Sequence, residues 1–182
     1  LRKGAKYTLE FALLADGVPT SDVYKVLATP AGVDRAFAKL DKLKANIQWW
    51  EAGAQPPQLL ADGEVSMAFA FNGRIFNAAQ GEGKPFKIVW DGQIYEMEGW
   101  VMPKGAPHPE AAKEFIAFST APEQQARAAE FISYGPPRKS AAAIVGNLEG
   151  TDVAMGPNLP TTAANMTNAL GSDLDFWVDH DG

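Results

Sequence analysis

The sequence predicts an α/β layer fold in which helices outnumber strands. Segments with apolar residues at helical spacing alternate along the chain with short segments of strand-like alternation. Glycine and proline turn signals separate them. The strands are few for 182 residues, so the sheet would be small and poorly covered. That is the expectation for a piece of a larger two-lobed molecule.

Each element has its own signal. Ala5 to Asp16 reads as a helix, with Leu9 and Leu13 on one face and Gly17 placed to end it. Thr29-Pro30 supplies an N-cap followed by proline at the first helical position. The apolar series Val33, Phe37, Leu40 and Leu43 then gives three to four helical turns. Ile47 to Trp50 reads as a short aromatic strand, and Pro56 to Asp62 as a short helix stopped by Gly63. Glu64 to Phe71 alternates Val65, Met67, Phe69 and Phe71 with smaller residues, a strand pattern running into an Asn72-Gly73-Arg74 turn. Lys87 to Trp90 and Tyr95 to Met102 are two more strand segments, split by an Asp91-Gly92 turn.

Pro109 opens a helix carrying Ala112, Phe115 and Ile116, and Thr120-Ala-Pro-Glu123 has the spacing of a capping box for the following one. Tyr134-Gly135-Pro136-Pro137 breaks that helix. Ser140 to Val145 reads as one more helix, and residues 146–162 are loop-rich. Helical pieces follow around Asn165 to Leu170 and Asp175 to His180.

Composition removes several function classes. A 46% apolar and 21% charged content is that of an ordinary globular chain, and no apolar run approaches the length of a membrane span. A net charge of −6 argues against a nucleic-acid partner. The absence of cysteine excludes disulfides, thiolate metal sites and cysteine nucleophiles. Leu1 is not an initiator methionine, so the chain reads as processed, truncated or cut from something longer.

Motifs for catalysis are weak. Gly81-Glu-Gly83-Lys84-Pro85 has the wrong spacing for a phosphate loop and carries Pro85 where Ser or Thr is required. His108 and His180 stand in no metal-binding or triad context. Asp173, Asp175, Asp179 and Asp181 lack the mid-loop glycine and terminal glutamate of a calcium loop, so they read as a solvated helix end. No cofactor is expected.

The aromatic residues are more informative. Phe37, Phe69 and Phe115 read as core, and Trp49 and Trp50 as packing within their own lobe. Phe71, Trp90, Trp100 and Tyr134 lie at or near element ends, where α/β proteins place ligands. Arg74 and Glu98 form a charged pair beside these aromatics. Arginine offers a bidentate fork to a carboxylate, and Glu98 would accept from an ammonium held against aromatic faces. Together they could clamp the two ends of a zwitterion.

At these residues the chain resembles the periplasmic substrate-binding proteins of ABC importers, specifically the spermidine/putrescine-binding branch. The matching segments are ALLADGV (Ala12 to Val18), LLADGEVSMAFAFNGR (Leu59 to Arg74), GWVMPKGAPHPEAAKEFIAF (Gly99 to Phe118), ISYGPPR (Ile132 to Arg138) and LPTTAANMTNAL…LDFW (Leu159 to Trp177). The resemblance implies a type II periplasmic-binding-protein-like fold, a periplasmic protein that is monomeric at full length, an ABC permease as its partner in the inner membrane, and no catalysis. It implies that only the later portion of such a protein is present. Residues 1–94 and 134–182 would then belong to the second lobe, and residues 95–133 would cross into the first.

By the same comparison Phe71 matches a pocket aromatic, Glu98 the acid that holds an amino group, Tyr134 a pocket tyrosine, and Asn165 a ligand-contacting amide. Trp100 is a further pocket candidate from its position. The chain departs from the polyamine binders in three places. Gly4 and Tyr7 stand where they carry acids, Glu96 replaces a pocket tryptophan, and Arg74 puts a cation near the expected oligoamine. Like-charge repulsion there shifts the expected solute toward putrescine or a shorter ω-amino acid such as 4-aminobutyrate. A ligand-sensing regulatory domain and an enzyme on a similar scaffold are the alternatives.

Overall fold

A computed structural model describes residues 1–180 of the chain. It divides into two compact units, Leu1–Tyr95 with Thr167 onward, and Glu96–Met166.

In the first unit, helix α1 (Thr8–Ala15) begins later than the sequence predicts, because Tyr7 at its N-cap takes a positive φ of 69°. Gly17 ends it at φ 85°, where glycine alone is unstrained. Two cations from α3 (Pro30–Leu43) close the same end. The Arg35 Nε donates to Asp16 Oδ2 at 2.7 Å and the Lys39 Nζ to the Ala15 carbonyl at 2.8 Å, where the helix dipole favours positive charge. The guanidinium of Arg35 also holds the Asp16 carboxyl below its usual pKa.

The N-cap predicted for α3 is present, the Thr29 Oγ1 accepting from the Gly32 amide at 3.0 Å. Phe37, expected in the core, is not there. Gly32, Ala36 and Leu40 face inward, whereas Phe37 is 53% and Leu43 is 43% exposed. The cause is close approach: a Cβ on Gly32 would lie 1.9 Å from the carbonyl oxygen of Val26 in α2 (Val23–Leu27). Small residues therefore form the contact stripe, and the bulky ones rotate off it. Leu13, Val23, Leu27, Leu40, Leu170 and Trp177 form the centre of this unit's core.

Helix α4 (Gln55–Ala61) forms as expected, with Gly63 at φ 72° behind it. The strand expected over Glu64 to Phe71 does not form, and Met67 is 86% exposed. The Asn72-Gly73-Arg74 segment is the first turn of a helix the sequence reading missed, α5 (Asn72–Gln80). Lys87 to Trp90 is not a strand, and Ile47 to Trp50 contributes only a single bridge between Arg2 and Trp50. Among the described residues the only ladder is a parallel pair, β1 (Ile94–Tyr95) with β2 (Leu170–Gly171). A strand exists only where a neighbour takes its N–H and C=O groups. Alternation in a sequence reports a half-buried face, not the presence of that neighbour.

The second unit holds α6 (Pro109–Ser119), α7 (Pro122–Ala129) and α8 (Lys139–Ala142). The capping box is absent: Ala121 is the N-cap of α7, and the Thr120 hydroxyl instead donates to the Ile116 carbonyl at 2.7 Å, closing α6. Phe115, expected in the core, is 52% exposed. The unit buries small side chains, Ala126, Ala129 and Ala141, around Met155 and Leu159. Arg127 joins α7 to the loop beyond it, reaching Glu130 at 2.8 Å and Glu149 at 2.7 Å.

The helical piece expected over Asn165 to Leu170 does not form: residues 163–168 are turns, and Leu170 begins β2. Helix α9 (Leu174–His180) is capped by the Asp173 carboxylate, which accepts from the Phe176 amide at 2.9 Å. Asp181 of the acidic tail lies outside the described residues.

Candidate solute-binding site

An aromatic surface forms where the approach to α1 meets the segment leading into α5. Trp50 is buried and donates its indole N–H to the Phe69 carbonyl at 3.1 Å. The Phe69 ring lies 5.5 Å from Tyr7, 5.1 Å from Phe11 and 5.6 Å from Trp50, all tilted. Phe71 meets Trp50 at 6.0 Å and Phe69 at 6.2 Å in edge-on geometry, the arrangement ring quadrupoles favour. Gly53 permits this, since a Cβ there would sit 3.0 Å from the Phe71 ring. Phe69 is thus the hub of the cluster and Phe71, 37% exposed, is its open edge.

Arg74 is exposed in the first turn of α5, and its amide donates to the Phe71 carbonyl at 3.0 Å. The two predicted residues are therefore fixed to each other by the start of one helix. Trp49, expected to pack inside, is 43% exposed. It lines a separate open groove of about 600 Å³ with Phe37, Leu40 and the Lys3–Glu51 ion pair. None of the six predicted site residues lines that groove.

Sequence reasoning passed over Arg2 and Tyr7 as participants. The Arg2 guanidinium carbon lies 5.4 Å from the Tyr7 ring centroid and 6.0 Å from that of Phe71. Tyr7 is 6% exposed and held at a φ few non-glycine residues adopt. Such strain, about 1–3 kcal/mol, persists only where the surroundings enforce it. No sequence pattern reports it. The one hint was composition, a tyrosine where the resemblance leads one to expect an acid.

In the second unit, Glu98 and Trp100 lie in the exposed segment after β1, and Trp100 meets Phe115 edge-on at 5.1 Å. Tyr134 is 46% exposed. Its neighbour Ser133 donates to the Asn158 carbonyl, and a Cβ on Gly135 would meet the Thr161 side chain. Asn165 donates its side-chain nitrogen to the carbonyls of Pro157 (3.1 Å) and Leu159 (2.7 Å). Tyr134 and Asn165 are thereby anchored on the same loop, around residues 156–162. The amide nitrogen of Asn165 is committed to holding that loop.

Among the described residues no group of three or more acids and histidines is placed to hold a metal ion, and no helix is long and apolar enough to cross a membrane. Aromatic edges with arginines beside them are what a binder of small charged solutes is built from. Residues 2–161 match the bacterial extracellular solute-binding proteins, and the chain belongs to that family.

Among relatives, the chain is 56% identical over 180 residues to the gamma-aminobutyric acid-binding protein of Pseudomonas aeruginosa, covering 99% of this chain and 49% of that protein. Among solved structures it is similar to the periplasmic binding protein MotA of A. tumefaciens B6 in complex with glucopine, at 29% identity and a TM-score of 0.80. That match covers 98% of this chain and 54% of MotA. It is likewise similar to the Atu4243-GABA receptor, at 30% identity and a TM-score of 0.74, covering 99% of this chain and 52% of the receptor. The fold is accordingly that of the type II periplasmic binding proteins. The chain spans about half the length of the relatives it matches.

Proposed function

We propose that the protein carrying this chain is the substrate-binding component of an ABC importer. It captures, in the periplasm, a small solute with an ammonium at one end and a carboxylate at the other, of the 4-aminobutyrate type. The observation that carries the reading is Arg74 set one helical turn from the exposed Phe71 edge. A guanidinium there suits a carboxylate and disfavours an oligoamine. The 56% identity to a protein named for binding gamma-aminobutyric acid supports the same solute class.

In this reading the chain is the later portion of a two-lobed protein, with residues 1–94 and 134–182 in the second lobe and residues 95–133 crossing into the first. Glu98, Trp100, Tyr134 and Asn165 are the further solute-binding residues assigned within the second unit, Glu98 suited to an ammonium. The partner is an inner-membrane ABC permease, the full-length protein is a monomer, and it catalyses nothing. Intrinsic tryptophan fluorescence, titrated with ω-amino acids and diamines on the protein at the full length of its relatives, tests the reading. It predicts a saturable change with 4-aminobutyrate. A response confined to diamines and polyamines would overturn it.

A further inference from the structure

We infer that Arg2 fixes which way round the solute lies, presenting its guanidinium to the carboxylate from a cradle formed by Tyr7 and Phe71. The inference rests on the solute class proposed above and adds a residue that neither the sequence reading nor the resemblance assigns.

The backbone around Arg2 is tied on both sides. The Trp50 amide donates to the Leu1 carbonyl at 3.0 Å, and the Lys3 amide donates to the Trp50 carbonyl at 2.8 Å. The Thr8 hydroxyl donates to the Arg2 carbonyl at 2.8 Å. Residues 1–3 are thus pinned to Trp50 and to the first turn of α1. The side chain is then placed over two rings at 5.4 and 6.0 Å.

Other cations of this unit are committed: Lys3 pairs with Glu51, Lys25 with Asp22, and Arg35 with Asp16. Arg2 has no carboxylate within ion-pair distance among the described residues. Contact with an aromatic face engages the π surface of a guanidinium and leaves its N–H edge available. A planar fork with an unspent edge, half-buried beside an exposed aromatic, is arranged to receive a carboxylate in bidentate fashion.

The same placement decides orientation. An ammonium brought to Phe71 would meet the charge of Arg2 as well as that of Arg74, so the Phe71 end of the site belongs to the carboxylate. A solute cationic at both ends has no end that fits there, which is how a binder rejects a competitor by built-in repulsion.

The test compares 4-aminobutyrate with 4-aminobutyramide, its neutral-headed analogue, on the full-length protein and its Arg2→Gln and Arg2→Lys variants. Arg2→Gln is expected to weaken 4-aminobutyrate by about ten- to a hundredfold, the loss typical of one charge-assisted pair, while the amide changes less than about twofold. Arg2→Lys, which keeps the charge but not the fork, should recover part of the loss. Equal weakening of both ligands would mean that Arg2 only props the fold, and an unchanged 4-aminobutyrate affinity would mean that it does not touch the solute. Either result overturns the inference while leaving the solute class intact. A wild type that binds neither ligand would overturn the solute class itself, and this inference with it.

Discussion

The indole N–H of Trp177 donates to Oε1 of Glu10 at 2.7 Å, joining α9 to α1 across 167 positions of chain. The Tyr24 hydroxyl donates to the same oxygen at 3.0 Å, so one buried carboxyl ties α1, α2 and α9 together. Oε2 of Glu10 has no hydrogen bond of ordinary geometry. Tyr7, the residue at positive φ beneath Arg2, lies three positions before Glu10 in the chain.

Removing either side of this contact should destabilise the first unit. Trp177→Phe leaves the carboxyl with one donor fewer, and Glu10→Ala strands two donors. A buried donor or acceptor left without its partner costs about 1–3 kcal/mol. Thermal melting should fall by about 2–4 °C per kcal/mol, with Glu10→Ala the worse of the two. Melting unchanged by Glu10→Ala would mean that the knot carries no weight.

Burial pushes the Glu10 carboxyl above its ordinary pKa of 4.5, against the opposing pull of its hydrogen bonds. The folded chain therefore binds this proton more tightly than the unfolded chain does. The stabilisation this brings is complete below pH 4.5 and is lost as pH rises through the raised value. Relative to Glu10→Gln, the native chain should gain stability on acidification from pH 8 toward the ordinary carboxylate range. A melting difference between the two that stays constant with pH would show that Glu10 does not change its protonation on unfolding.

Gly32→Ala reverses the usual helix rule. Alanine ordinarily gains about 1 kcal/mol over glycine inside a helix, but here its methyl would fall 1.9 Å from the Val26 carbonyl oxygen. Forcing α2 and α3 apart should cost about 1–3 kcal/mol or more net, read as a lowered midpoint in chemical denaturation. A neutral or stabilising result would mean that α3 does not lie so close to α2.

Arg74→Gln removes the exposed cation in the first turn of α5 and should weaken ω-amino acids by about tenfold, one charge-assisted hydrogen bond's worth. It should at the same time tighten putrescine. Competitive binding measurements read both changes, and loss of affinity for both solutes alike would contradict a charge-reading role.

The helices were largely legible, because caps, prolines and glycines act locally: Thr29-Pro30, Gly17, Gly63 and Pro109 all mark real boundaries. The strands were not, because Val65, Met67 and Phe69 alternate without a neighbouring strand to bond. Asn72-Gly73-Arg74 has the composition of a turn, yet the same residues open α5. Of the candidate site, Phe71 and Arg74 are legible in the sequence only as an aromatic and a cation beside an element end. The placement of Arg2 is not, since it depends on a backbone bridge to Trp50, 48 residues away, and on a tyrosine at positive φ. Glu10 was hidden for a related reason: a single acid on a helix reads as surface until its buried partners are known.

A solute carrying a carboxylate at one end and an ammonium at the other is the guest proposed for this protein. Isothermal titration of the full-length protein with 4-aminobutyrate, putrescine and spermidine tests it most directly. The expected result is saturable binding of 4-aminobutyrate and at least about a hundredfold weaker binding of both polyamines, the discrimination that about 2.7 kcal/mol of misplaced charge produces. Tight spermidine binding with no heat from 4-aminobutyrate would contradict it.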